Sequence, residues 1–356
     1  IKPYMASKIK PKTIIGGNSR PEVGINPQSE CWMRDERPVF NMGVPGASFF
    51  MQTRYIQHAV GSSSEQFVLL GVDFLDFLTD SSKLVQEIDW DHLGESFNGR
   101  LYPIEKTRYY YPINFQNFKD AFNGLFSLIA LQDSVVTILS QKNKYSATRQ
   151  KDGFNPGLDY QPIIYNEGQA ILFHQKNQEV SRRLRNNNLG LFDASGQWSV
   201  PFEALKQFLN WAKDKRLHVI LFINPYHSDY LVLIKMAGKW LIFEEWKRQL
   251  TSIANEYNTP LWDFNTIDQY STESPPPLGD KNSQLKWYWE PAHYRQELGD
   301  LMLASMLNRD CGTEHHHLRF GSQIDIITLQ DHLNIIALKL KQFMSEHPEV
   351  INRLMN

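Results

Sequence analysis

Ser19, Gly46, Asp73, Glu290 and His293 are the residues of this 356-residue chain whose types and spacing could perform acyl-transfer chemistry. A serine hydroxyl becomes a useful nucleophile when a base removes its proton, and a histidine held by a carboxylate is the usual base. His293 stands three residues after Glu290 in Trp289-Glu290-Pro291-Ala292-His293, with Pro291 shaping the turn between them. Ser19 follows an apolar run and two glycines in Thr13-Ile14-Ile15-Gly16-Gly17-Asn18-Ser19-Arg20. Glycines there permit the sharp turn that exposes a nucleophile. Gly46 closes Gly43-Val44-Pro45-Gly46, and Asp73 follows the apolar segment Val68-Leu69-Leu70-Gly71-Val72. Ser19, Gly46 and Asp73 therefore each lie at the carboxyl end of a short apolar segment, and in an open parallel sheet those ends converge where ligands bind.

The roles follow from side-chain chemistry, and each has a plainer alternative. Ser19 attacks an acyl carbon, or merely caps a helix. His293 takes the Ser19 proton and returns it to the leaving group, while Glu290 fixes the imidazole tautomer. Alternatively Glu290 is a first-turn acid ahead of the next helix. Gly46 offers its N–H to an oxyanion beside that of Ser19, or is glycine only for backbone shape. Asp73, if ionised, accepts hydrogen bonds and would repel an oxyanion. It orients Ser19, Arg20 or a substrate hydroxyl, or is protonated by burial so that it can donate. Arg20 meets an anionic or hydroxyl-rich substrate, or pairs with an acidic neighbour. His227, after the segment His218–Pro225, is a second-rank candidate for the cleft.

The order of these blocks resembles the SGNH (GDSL-like) hydrolase superfamily. That family carries a Gly-Asp-Ser turn, an oxyanion glycine, a Gly-x-Asn and an Asp-x-x-His; here they read Gly17-Asn18-Ser19, Gly46, Gly71-Val72-Asp73 and Glu290-Pro291-Ala292-His293. Glu replaces Asp in the last block, and Asp73 replaces the amide of the third. The resemblance covers residues 10 to 310 and is nearest to variant SGNH-like proteins associated with bacterial envelope polysaccharides. It implies a flavodoxin-like three-layer α/β/α fold and a serine esterase or O-acetyltransferase, without cofactor, acting on an acylated carbohydrate. It also implies a periplasmic or envelope-associated bacterial protein. The alternative is a catalytically impaired protein that retains the cleft for glycan binding or as a scaffold, a reading that Asp73 favours.

Composition narrows the field. With 37 basic and 39 acidic residues the chain has a net charge of -2, which gives no electrostatic case for nucleic acid. The cluster Ser181-Arg182-Arg183-Leu184-Arg185 reads as a solvated helix face. There is no Gly-rich nucleotide motif and no zinc-ligand spacing; His315-His316-His317 is a loop run, so neither cofactor nor metal is expected. Cys31 and Cys311 are free thiols or one bridge. The start at Ile1-Lys2-Pro3 leaves an upstream membrane anchor or signal segment open. Trp and Tyr residues from 287 to 294 could face sugar rings or fill the core. Oligomeric state is not legible.

Periodicity supplies the elements that must position these groups. Strands are expected at 12–16, 38–42, 66–72, 218–225 and 260–264, and helices at 48–60, 202–213, 244–257 and 296–307, with Ser48 as an N-cap. This alternation predicts an α/β doubly wound sheet over residues 1–321. Residues 80–200 read as a largely helical insertion, and 322–356 as one C-terminal helix packed on the domain.

Overall fold

A computed structural model describes residues 2–61, 65–84, 149–312 and 320–355. The protein is a mixed α/β structure around a six-stranded sheet. Its strands are β1 (Thr13–Gly16), β2 (Val39–Asn41), β3 (Phe67–Val72), β4 (His218–Ile223), β5 (Leu261–Asp263) and β6 (Ser322–Ile324). In space they run β6-β5-β4-β3-β1-β2, all parallel except the edge strand β6. Thr13 is level with both Val39 and Phe67, so β1 lies between β2 and β3. The direction of winding reverses at β1 and β3, the position at which open sheets form a crevice beyond their carboxyl ends.

The central strand β3 is apolar throughout because both of its faces are covered, whereas the edge strand β6 exposes Ser322 and Gln323. Alternate residues go to opposite cores: Ile14, Leu70 and Leu221 join one cluster, whereas Ile15, Leu69 and Phe222 join the other. In chain order the first helices are α1 (Lys2–Ile9), α2 (Ser19–Gly24), α3 (Phe49–Val60), α4 (Tyr160–Glu167), α5 (Gln169–Leu184) and α6 (Val200–Asp214). They are followed by α7 (Ser228–Met236), α8 (Trp240–Glu256), α9 (Gln296–Leu307), α10 (Leu329–Glu346) and α11 (Pro348–Met355). Helices α3, α6, α8 and α10 contribute to the first core, and α9 with the Trp287–Tyr294 region to the second. Ser48 caps α3 by accepting a hydrogen bond from the Met51 N–H. Among the described residues no helix is long and apolar enough to cross a membrane.

One expectation needs adjusting, and two others can be set beside the structure. The tail is not one helix. Ser322–Ile324 pairs antiparallel with β5, the Asp325 carboxylate then caps a turn at Ile327 and Thr328, and two helices follow. Pro348 divides them because it lacks an N–H and restricts His347 before it. The expected insertion lies largely outside the described residues, as do the stretches 85–148 and His315–His317. Its described part contains α4 and α5, and its base is closed where Thr79 and Asp80 pair with Gly190 and Leu189. Finally, Cys31 and Cys311 form a disulfide across 280 residues of sequence.

Candidate active site

From Thr13 to Ile25 every residue is buried except Ser19, which is partly exposed at the start of α2. Gly17 makes the turn possible: its φ is +134°, and a Cβ there would lie 2.7 Å from Pro21 Cγ and 2.9 Å from the Gly71 carbonyl. The Asn18 side chain caps α2 by accepting from the Arg20 N–H at 3.0 Å. A helix of six residues has little stability alone. Ion pairs hold it. Glu22, fully buried, meets Lys2 Nζ at 2.8 Å and Arg149 Nε at 2.6 Å.

Facing Ser19 is the short hairpin of Tyr288–Glu290 and His293–Tyr294. Ser19 Oγ lies 2.7 Å from His293 Nε2, and His293 Nδ1 is hydrogen-bonded to Glu290 Oε1. The other Glu290 oxygen accepts from the Ala292 N–H at 2.7 Å. Burial pushes the Glu290 carboxyl up, but the adjacent His293 and these hydrogen bonds outweigh it and hold the group below its ordinary value. An ionised Glu290 only accepts, so His293 Nδ1 carries the proton. Nε2 is left to accept from the Ser19 hydroxyl. This is the geometry in which an imidazole can draw a proton from serine.

Arg20 and Asp73 face inward. Arg20 is 8% exposed and Asp73 is fully buried, and their guanidinium and carboxylate form an ion pair. Arg20 Nε also donates to the Ala292 carbonyl at 2.8 Å, tying the Ser19 helix to the Glu290–His293 loop. Its guanidinium lies over the Tyr226 and Tyr230 rings at 5.2 and 5.7 Å. Burial would lower the Arg20 pKa, but Asp73 with the two tyrosines holds it above its ordinary value. Of the readings open for Arg20, pairing with an acid is the one the structure displays. Asp73 orients Arg20 and caps the short helix Phe74–Phe77 through the Leu75 N–H. It is not an exposed donor.

Gly46 and His227 are placed differently from expectation. Gly46 sits in an exposed turn with φ of +67° and open space where a Cβ would be. Backbone shape accounts for a glycine there. The close approach to the Ser19 turn is made by Gly43, whose Cβ would lie 2.9 Å from the Asn18 carbonyl. His227 does not line the cleft. It is 1% exposed, caps α7 by accepting from the Asp229 N–H, and lies 2.8 Å from the Glu273 carbonyl through Nε2. Burial, only partly offset by Asp229 and Glu273, lowers its pKa, in keeping with a neutral structural imidazole.

The aromatic residues near the last block are core. Trp287, Tyr288, Trp289 and Tyr294 are all buried, and the Trp289 ring stacks on Tyr160 and lies 4.0 Å from the Arg295 guanidinium. Tyr160 carries no motif and escaped the sequence reading, yet its ring centroid lies 6.4 Å from that of His293. Asp76 also escaped. It accepts from Asn18 Nδ2 at 3.0 Å and Gln52 Nε2 at 2.8 Å, and so props the Ser19 turn from behind. Burial and the neighbouring Asp73 push its carboxyl up to about 6. Its spacing, three residues after Asp73, was the available signal. Among the described residues no cluster of His, Cys, Asp or Glu is arranged to hold a metal ion. Compared with known proteins, the chain matches no family model and no curated sequence.

Proposed function

We propose that this protein is a serine-dependent acyl-ester enzyme of SGNH type, an esterase or O-acetyltransferase acting on an acylated carbohydrate. The observation that carries the proposal is the hydrogen-bonded chain from Ser19 Oγ through His293 to an ionised, buried Glu290. In the first half-reaction Ser19 Oγ attacks the acyl carbon as its proton passes to His293 Nε2. The imidazolium then gives that proton to the departing alcohol oxygen. In the second half-reaction water or a sugar hydroxyl attacks the acyl-serine, losing its proton to His293, which returns it to Ser19 Oγ as the acyl–oxygen bond breaks. Glu290 stabilises the imidazolium in both. The Ser19 N–H makes no backbone hydrogen bond among those outside the helices and strands of the described residues, and we assign it to the oxyanion as a donor on the nucleophile itself.

The strand order and the two cores are compatible with a three-layer α/β/α domain of this kind. The Cys31–Cys311 disulfide fits an oxidising compartment such as the periplasm or cell envelope. The test is turnover of 4-nitrophenyl acetate. Ser19→Ala should reduce it to background, and Glu290→Gln should reduce it by on the order of 10³–10⁴-fold through loss of the correct tautomer. Equal rates in wild type and Ser19→Ala would end the proposal. A second reading, a glycan-binding or scaffold protein, is favoured by one feature: the ion-paired Asp73 supplies no amide donor. It predicts glycan binding that is indifferent to Ser19→Ala.

A further inference from the structure

A second concavity, of about 1000 Å³, runs along α5 and is closed by the Pro275–Leu278 loop and the end of α11. Its α5 wall is one helical face, with Ile171, His174, Gln178, Arg182 and Arg185 recurring at intervals of three and four. At 1.5 Å per residue, the face from Ala170 to Arg185 extends over roughly 22 Å. The two ends differ in chemistry. At the first, Ile171 lines the cavity and packs with Tyr160 and Trp289 of the candidate active site. A Cβ on Gly168 would lie 2.5 Å from the Asp280 carbonyl, so the chain just after the proline loop passes close to this end.

At the other end stand Arg182 and Arg185, both exposed, and neither engages a carboxylate among the described residues. Arg353 of α11 also lines the cavity, but its guanidinium is engaged by Asp229 at 2.6 Å, beside Asn177 of α5. Among the described residues no Asp or Glu lines this cavity, in a chain whose acidic residues outnumber its basic ones. The apolar side chains at the mouth are unusually bare: Leu278 is 80% and Met355 67% exposed. Solvation of a helix face explains two arginines, but not two arginines beside an open apolar trough.

We infer that this cavity is a binding site for an amphiphile with a long aliphatic chain and an anionic head. The chain lies against Ile171, Phe173, the prolines and Leu278, where burial of apolar area drives binding. The head, a phosphate or carboxylate, is held by Arg182 and Arg185 through charge-assisted hydrogen bonds. The inference is independent of Ser19 chemistry, and Ser19→Ala should bind as wild type does.

The test is titration of the full chain with monomeric hexadecyl phosphate, followed by calorimetry, with a neutral hexadecyl glucoside as the uncharged comparison. Binding should saturate at one site, and the exposed double substitution Arg182→Glu/Arg185→Glu should weaken it at least tenfold. Leu278→Gln should weaken the phosphate and the glycoside alike. Vesicles with and without phosphatidylglycerol distinguish the source of the head: co-sedimentation with anionic vesicles indicates a membrane lipid, and capture of monomer alone indicates a free amphiphile. Absence of saturable binding by the wild type, or equal affinity in the doubly charge-reversed protein, would overturn the inference. Circular dichroism of the variant keeps a folding defect from passing as a lost site.

Discussion

Asp73→Asn introduces the amide found in the third block of the SGNH pattern that the sequence resembles, and the structure predicts that this change is harmful. Asparagine keeps the size of the side chain but removes its charge, leaving the Arg20 guanidinium buried against Tyr226 and Tyr230 without its paired carboxylate, while the other acid that acts on it, Asp76, is already held by Asn18 and Gln52. Removing one member of a buried ion pair costs about 3–5 kcal/mol, because the remaining charge has lost both water and partner. The flanking tyrosine faces offset about 0.5–2 kcal/mol at most and are present before and after the change. Urea unfolding followed by tryptophan fluorescence should therefore show a loss of about 3–5 kcal/mol. Turnover should fall as well, because Arg20 anchors the Ala292 carbonyl between Glu290 and His293. The paired substitution Arg20→Met/Asp73→Leu removes both charges and should recover most of the stability, but not the anchored loop or the activity. The reasoning is refuted if Asp73→Asn stays within about 0.5 kcal/mol of wild type and gains activity. Asp73 would then stand where an oxyanion donor is wanted.

Two buried carboxylates should leave opposite marks on the pH dependence of stability. The Asp76 carboxyl is raised from 3.8 to about 6 in the folded protein, so folding binds a proton between those values and wild type loses roughly 2–3 kcal/mol as pH rises from 4 to 6. In Asp76→Asn that segment of the stability curve should flatten; an unchanged slope would mean Asp76 does not titrate there. Asp263 meets Lys247 at 2.6 Å and His332 at 2.8 Å, and despite burial they hold it at about 2. Its stabilising share, roughly 2 kcal/mol, is present above pH 4 and is lost as pH falls toward 2, and acid titration of Asp263→Asn should lack that step. Reducing Cys31–Cys311 should lower stability by about 2–5 kcal/mol, since it closes a very long loop. Thiol titration alongside urea unfolding would show no such loss if the bridge were inconsequential.

The sheet was legible because its strands are short apolar runs bounded by glycine and proline, and β1, β3 and β4 fall within two residues of expectation. Helix α7 was not foreseen: six of its first seven residues are fully buried, so it lacks the polar face that marks a surface helix. The tail misled for the reverse reason. Its apolar spacing is helical from Leu329 onward, but β6 is specified by its neighbour β5, which local sequence does not reveal. Ser19, Glu290 and His293 were legible from chemistry and spacing, and the structure brings them into one hydrogen-bonded chain. Gly46, Arg20 and Asp73 were legible as residues of interest but not in their contacts. Whether an arginine meets a ligand or a carboxylate depends on which chain segments fold against it. Tyr160 and Asp76 reach the site only through tertiary packing.

The central claim is that His293 makes Ser19 nucleophilic. A fluorophosphonate probe, with the modified peptide mapped by mass spectrometry, tests it most directly and needs no knowledge of the natural acyl group. The account predicts one adduct, on Ser19, formed far more slowly in His293→Gln at equal folded fraction. An unlabelled Ser19, or one labelled as fast without His293, would contradict it.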